Sequence, residues 1–84
     1  MKATHRKTPM QSSSDIENMA KRIKSLRIQN GFSSYASFAE KHGFSRALYG
    51  RYEKGRDLRF STLVRIADAF GMTLKQFFSE GFEE

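Results

Sequence analysis

Residues 34–55 read SYASFAEKHGFSRALYGRYEKG, a stretch that divides into two short helices with a tight turn between them. Ser34 stands at a helix N-cap position, where its side-chain oxygen can accept from an orphan backbone amide. Tyr35, Phe38 and Ala39 follow at the spacing of one apolar helical face. Gly43 ends that helix, since glycine enters the left-handed conformation without a Cβ penalty. Ser45 caps a further helix that ends at Gly55, and Phe44 and Tyr49 are placed as a hydrophobic staple across its start. Ala39 is small where the first helix must pack closely on the second.

The second helix of this pair divides its faces. With helical residues spaced about 100° apart, Tyr49 and Tyr52 turn toward a core, while Arg46, Ala47, Gly50, Arg51 and Lys54 turn away. Arginine forks pair with the O6 and N7 acceptors of guanine, and small residues let a helix lie close in a major groove. The competing explanation is a solvated helix face, the usual meaning of such charges. Gly50 weighs against it: a mid-helix glycine costs about 0.8–1.0 kcal/mol relative to alanine, and close approach to a ligand would be a reason to keep it.

Outward from this pair the chain reads as helix throughout. Ser14 and Glu17 have capping-box spacing, and Ile16, Met19, Ala20, Ile23 and Leu26 form one apolar stripe that Gly31 brings to a stop. Ser61 is expected to open a fourth helix carried by Leu63, Ile66, Ala67 and Phe70 and stopped by Gly71. Thr73 with Gln76 resembles a capping box for a fifth, with Met72 and Phe77 as its staple and Gly81 as its end. No stretch alternates as a strand would, so the class is all-α with five helices. Residues 1–13 carry Lys2, Arg6 and Lys7 with almost no apolar content, and are expected to form a flexible basic arm ahead of a single domain over residues 14–84. That arm is either a free tail or an extra contact reaching along a neighbouring groove.

Length and charge bound the rest. A chain of 84 residues makes one small domain of marginal stability, for which dimerisation is a common remedy. It has no cysteine, so neither a disulfide framework nor a thiolate metal site holds it together. No apolar run approaches the roughly 18 residues of a membrane helix, and no signal-peptide h-region follows the basic N-terminus, so a cytoplasmic protein is expected. The net charge of +6 divides into +8 over residues 1–60 and −2 over residues 61–84. A basic body with a slightly acidic end suits a polyanionic partner on one face, or reflects solubility alone.

From Lys21 to Phe78 the chain resembles the Xre/Cro-like (phage-repressor-type) helix-turn-helix family, in the pieces KRIKSLRIQNGFSS, FAEKHGFSRALYGRYEKG and STLVRIADAFGMTLKQFF. The resemblance implies a five-helix repressor-like fold with the helix-turn-helix in helices 2 and 3 and a recognition helix over about residues 46–54. It makes Arg46, Ala47, Gly50 and Arg51 the base-reading set. Tyr35, Lys54, Arg56 and Arg59 become candidate phosphate contacts, with core packing the alternative for Tyr35 and loop solubility for the two loop arginines. Arg27 and Glu53 match a pair that joins the first helix to the third by a partly buried salt bridge. The sequence departs from the family pattern in three places. Residues 31–34 are one residue longer than usual, the loop of residues 55–61 has no proline, and Tyr49 and Tyr52 replace aliphatic residues. The two tyrosines need partners for their hydroxyls and could tilt the third helix.

Catalysis finds no support in the sequence. His5 and His42 lie in the arm and at a helix end, without a carboxylate pair, nucleophile–base set or phosphate-cradling loop, and no cofactor or metal is expected. Three tasks share the fold. A transcriptional regulator, in particular a repressor, would bind double-stranded DNA at a palindromic operator as a homodimer. An antitoxin-like or accessory module would have another protein as its main partner and bind DNA only to regulate itself. A pure protein-interaction module would leave the arginines of the third helix without a purpose. Phe77, Phe78 and Phe82 crowd the C-terminal end, and part of that cluster is expected to form the two-fold interface; the alternative is that Leu74, Phe77 and Phe78 pack inward and only Phe82 is exposed.

Overall fold

Five helices follow in order, α1 (Pro9–Gln29), α2 (Tyr35–His42), α3 (Arg46–Tyr52), α4 (Phe60–Ala69) and α5 (Leu74–Phe77), in a computed structural model that describes the backbone of residues 9–82 and the side chains of residues 14–82. Among the described residues there is no strand.

Three helix ends differ from the sequence expectation. α1 starts at Pro9, so Ser14 lies inside the helix, and α1 runs through the boundary expected between residues 13 and 14. Proline suits a first helical position because the N–H it lacks would have no intrahelical partner there. Residues 1–8, with the arm's Lys2, Arg6 and Lys7, lie outside the described residues. α3 ends at Tyr52; residues 53–55 form a tightened turn in which Lys54 N–H donates to the Arg51 carbonyl (3.0 Å) and Gly55 N–H to that of Tyr52 (3.2 Å). α4 starts at Phe60 with Arg59 at its N-cap and no side-chain cap bond, whereas Ser61 was the expected opener. Packing decides that start: Leu58, just before it, lies against the core, and Leu63 is buried within it.

The remaining punctuation acts as local chemistry dictates. Ser34 accepts from Ser37 N–H (3.1 Å) and Ser45 from Leu48 N–H (3.3 Å). Thr73 and Gln76 exchange both bonds of a capping box, at 3.1 and 2.9 Å. Each such cap is worth about 1 kcal/mol. For a helix as short as α5, a single turn, the cap is a large share of local stability.

Every helix sends residues into one core: Ile23 and Leu26 from α1, Phe38 and Ala39 from α2, Tyr49 and Tyr52 from α3, Leu63, Ile66 and Ala67 from α4, and Phe77 from α5. Phe38 is its hub. The ring stacks on Phe70 at 4.9 Å, meets Phe32 edge-on at 5.3 Å and lies 5.1 Å from Tyr49. Such pairs add about 0.5–1.5 kcal/mol each beyond area burial, so α2 is pinned to α3 and to the C-cap of α4 through one side chain.

Candidate nucleic-acid interface

The turn between α2 and α3 fixes how the second helix of the pair is presented. Gly43 adopts the left-handed conformation (φ 77°, ψ 27°), and Phe44 N–H returns to the Ala39 carbonyl at 2.8 Å. A Cβ at Gly43 would touch nothing within 4 Å, so the dihedral angle and not crowding calls for glycine. The Phe44 ring then lies 5.8 Å from Tyr49 across the start of α3, the staple in place. Arg65 of α4 holds the same turn from outside: its guanidinium carbon sits 4.5 Å from the Phe44 ring centroid, and Nη2 donates to the Gly43 carbonyl at 3.3 Å. Nothing in the one-dimensional pattern marks Arg65, because both its partners lie on a distant segment.

Arg27 of α1 fixes the other end of α3. Its Nε and Nη2 donate to the two Glu53 carboxylate oxygens at 2.8 and 3.0 Å, and Nη1 donates to the Phe32 carbonyl at 2.7 Å. Both side chains are almost wholly shielded, at 5% and 6% exposure. The hydrogen bonds donated to Glu53 hold the Arg27 guanidinium above its ordinary pKa, against the opposing effect of burial. Glu53 is thereby neutralised as a charge facing outward, although it follows directly on α3. Tyr49 sends its hydroxyl into the same place. It is buried beside Glu53, but no hydrogen bond of ordinary length and angle reaches it among the described residues. Burial, then the carboxylate, push that phenol well above its ordinary pKa of 10.0.

A second buried arginine, Arg22, ties α1 to the C-terminal end. Its Nε and Nη2 donate to the carbonyls of Phe77 (2.7 Å) and Gln76 (3.1 Å), and Nη1 approaches Glu80 at 3.4 Å. Its sequence position, on the flank of the α1 stripe, reads as solvent-facing, and only the tertiary fold supplies carbonyl acceptors there.

The face of α3 that remains open is built from Arg46, Ala47, Leu48 and Arg51, all exposed. Leu48 was not expected there; it is 37% exposed and lines a groove together with Tyr52 and Arg56. Gly50 leaves the open face. It is buried, and a Cβ built on it would meet the Tyr35 ring at 2.6 Å, so α2 and not an outside ligand is what lies close to it. The expectation that Gly50 admits a ligand is corrected accordingly: its small size admits Tyr35. Tyr35 covers Gly50 while remaining 39% exposed, at the α2 edge of the same face. Lys54, Arg56 and Arg59 are all exposed on the turn and loop that leave α3. Arg56 N–H is anchored on the Arg51 carbonyl at 3.0 Å. With Leu48, Tyr52 and Leu58, Arg56 and Arg59 line an open groove beside the helix of about 670 Å³. His42 takes no part; its ring packs 4.6 Å from that of Phe38.

Arranged this way, the surface offers two guanidinium forks on a helix, flanked by three cations on an adjoining loop. That combination has the chemistry to hold phosphate and to meet base edges. Among the described residues no cluster of histidine, aspartate or glutamate could hold a metal ion, and no helix is long and apolar enough to cross a membrane. No curated protein and no solved structure matches the chain. A family model, described as helix-turn-helix, matches residues 23–77. The match runs from the core of α1 to the end of α5 and so contains the α2–α3 pair, the Arg27–Glu53 bridge and the loop cations. The chain belongs to the Xre/Cro-like helix-turn-helix family and is a DNA-binding helix-turn-helix regulator.

Proposed function

We propose that the protein is a cytoplasmic repressor that binds a palindromic operator as a homodimer, laying α3 of each subunit in a major groove. The observation that carries this is the open face of α3: Arg46, Ala47 and Arg51 project from a helix whose following acid, Glu53, is locked away by Arg27. Arg46 and Arg51 are the base readers, and Ala47 leaves room for close approach. Leu48 adds an apolar group of the kind that meets a thymine methyl. Lys54, Arg56 and Arg59 are the phosphate contacts, setting register without reading sequence.

Dimerisation is supported by exposed apolar surface. The C-terminal cluster expected for that role shrinks, because Phe77 is fully buried and Phe82 is half-buried, leaving Phe78 at 40% exposure. Phe60, at the start of α4 directly after the Arg56–Arg59 loop, is 68% exposed, more than any other large apolar residue described. Phe60 is therefore the proposed centre of the two-fold contact that brings two recognition helices to one DNA face.

Selection of bound sequences from a random duplex pool, followed by a salt titration on the selected site, tests the proposal. The expected product is an inverted repeat with half-sites one helical turn apart, about 10 base pairs. Affinity should fall about linearly on a logarithmic salt scale as phosphate contacts release counterions. A pool that fails to converge, or binding that ignores salt, would contradict the proposal.

A further inference from the structure

Tyr35 covers Gly50 at the edge of the reading face, and we infer that Tyr35 supplies there the reading side chain that residue 50 lacks. This rests on α3 lying in the major groove. Tyr35 is the first residue of α2, yet its ring covers α3 at Gly50. An ideal Cβ on Gly50 would fall 2.6 Å from Cε1 of Tyr35, 2.9 Å from Cζ and 3.2 Å from Cδ1. The contact is thus with the hydroxyl-bearing end of the ring. Since a phenolic oxygen stands about 1.4 Å beyond Cζ and is not among the three nearest atoms, the Tyr35 hydroxyl lies beyond 3.2 Å, and within about 4.3 Å, of where a residue-50 side chain would begin. Gly50 follows Arg46 by one helical turn and precedes Arg51, so the ring end that carries the hydroxyl lies against α3 at the residue between those two arginines.

Two further observations fit a reading role. The residue is 39% exposed, so part of the ring is open beside the face. In addition, Gly50 carries the propensity cost of a mid-helix glycine, which the close seat of Tyr35 explains. A phenol both donates and accepts, so it can meet base-edge donors or acceptors that an arginine, a donor only, cannot. Position 50 is then read by a residue fifteen positions earlier in the chain. Substitution at Tyr35 would change sequence preference and not merely affinity.

Pool selection and paired affinity measurements on the selected and a random duplex, for the wild type and Tyr35→Phe, test this. Phenylalanine keeps the ring on Gly50 and removes only the hydroxyl. The expected result is roughly a tenfold loss on the selected site, little change on random duplex, and relaxed preference at one or two adjacent base pairs in each half-site. Equal loss on both duplexes would make Tyr35 a phosphate contact, and no loss on either would make it packing alone; either overturns the inference. A wild-type protein without sequence preference would instead remove the major-groove reading beneath it. The seat itself is checked by thermal denaturation: Gly50→Ala should lower Tm in the wild type and not in a Tyr35→Ala background. The same drop in both backgrounds would show that the ring does not fill that space.

Discussion

Tyr49 and the Arg27–Glu53 pair show how individual residues set the energetics of α3. An arginine and a glutamate taken out of water are retained because both guanidinium bonds reach the carboxylate and a third reaches the Phe32 carbonyl. Arg27→Met leaves Glu53 buried and unpaired, with an expected cost of about 3–5 kcal/mol in urea unfolding. The double variant Arg27→Met with Glu53→Leu should recover much of that loss; a double variant as weak as the single would mean the pair contributes through shape and not charge. Tyr49 poses the opposite case, a hydroxyl buried without a hydrogen bond among the described residues. Tyr49→Phe is therefore expected to be neutral or mildly stabilising at pH 7, within about 1 kcal/mol. In alkali the two should diverge. The fold holds the Tyr49 phenol protonated beyond its ordinary 10.0, while the unfolded chain ionises near that value. Stability from this group is whole below pH 10 and is lost above it, at up to about 1.4 kcal/mol per pH unit. Unfolding curves at pH 8 and pH 11 check the sign: the wild type should weaken more than Tyr49→Phe. Parallel profiles would place the hydroxyl in contact with solvent.

At the scale of the helix, α3 behaves as a rod clamped at both ends, by Phe44 and Arg65 at the turn and by Arg27 at Glu53. Clamping is what turns a face of side chains into a reading surface, since base contacts need register fixed by something other than the bases. Arg51→Ala should cost about 1–3 kcal/mol on the selected duplex and much less on random DNA, with preference relaxed at one position. Arg59→Ala should weaken both duplexes alike and reduce the salt slope by about 1. Exchange of those two patterns would move the reading surface from α3 to the loop. Much of this element was legible in the sequence, because caps, staple and turn glycine act through neighbours only a few residues away. The bridge was legible only through family resemblance. What escaped were groups whose partners lie far along the chain. Arg22 and Arg65 look like surface cations until their distant carbonyls are in place. Gly50 looks like an open position until Tyr35 is folded onto it. The start of α4 escaped for the same reason, because Leu58 packing overrides the better cap at Ser61.

Over the whole molecule, charge and apolar surface point toward assembly. The excess of positive charge lies in residues 1–60, and the acidic excess in residues 61–84, which contain most of α4 and all of α5. One helix-turn-helix gives a small interface, and two held about 34 Å apart on one DNA face would combine their affinities through effective concentration. Phe60 is the residue proposed to join them, being the most exposed large apolar side chain described and next to the loop that carries Arg56 and Arg59. Because that ring is already in water, Phe60→Ser should leave the monomer's Tm nearly unchanged. In sedimentation at tens of micromolar, the wild type is expected to dimerise, and Phe60→Ser to remain monomeric. On DNA the variant should bind a single half-site as the wild type does and lose its advantage on the inverted repeat. If Phe78→Ser breaks the dimer and Phe60→Ser does not, the subunits meet at the C-terminal cluster. A wild type that stays monomeric with and without operator would remove the homodimer altogether, leaving Phe60 as an apolar surface better suited to a second protein, as in an antitoxin-like module.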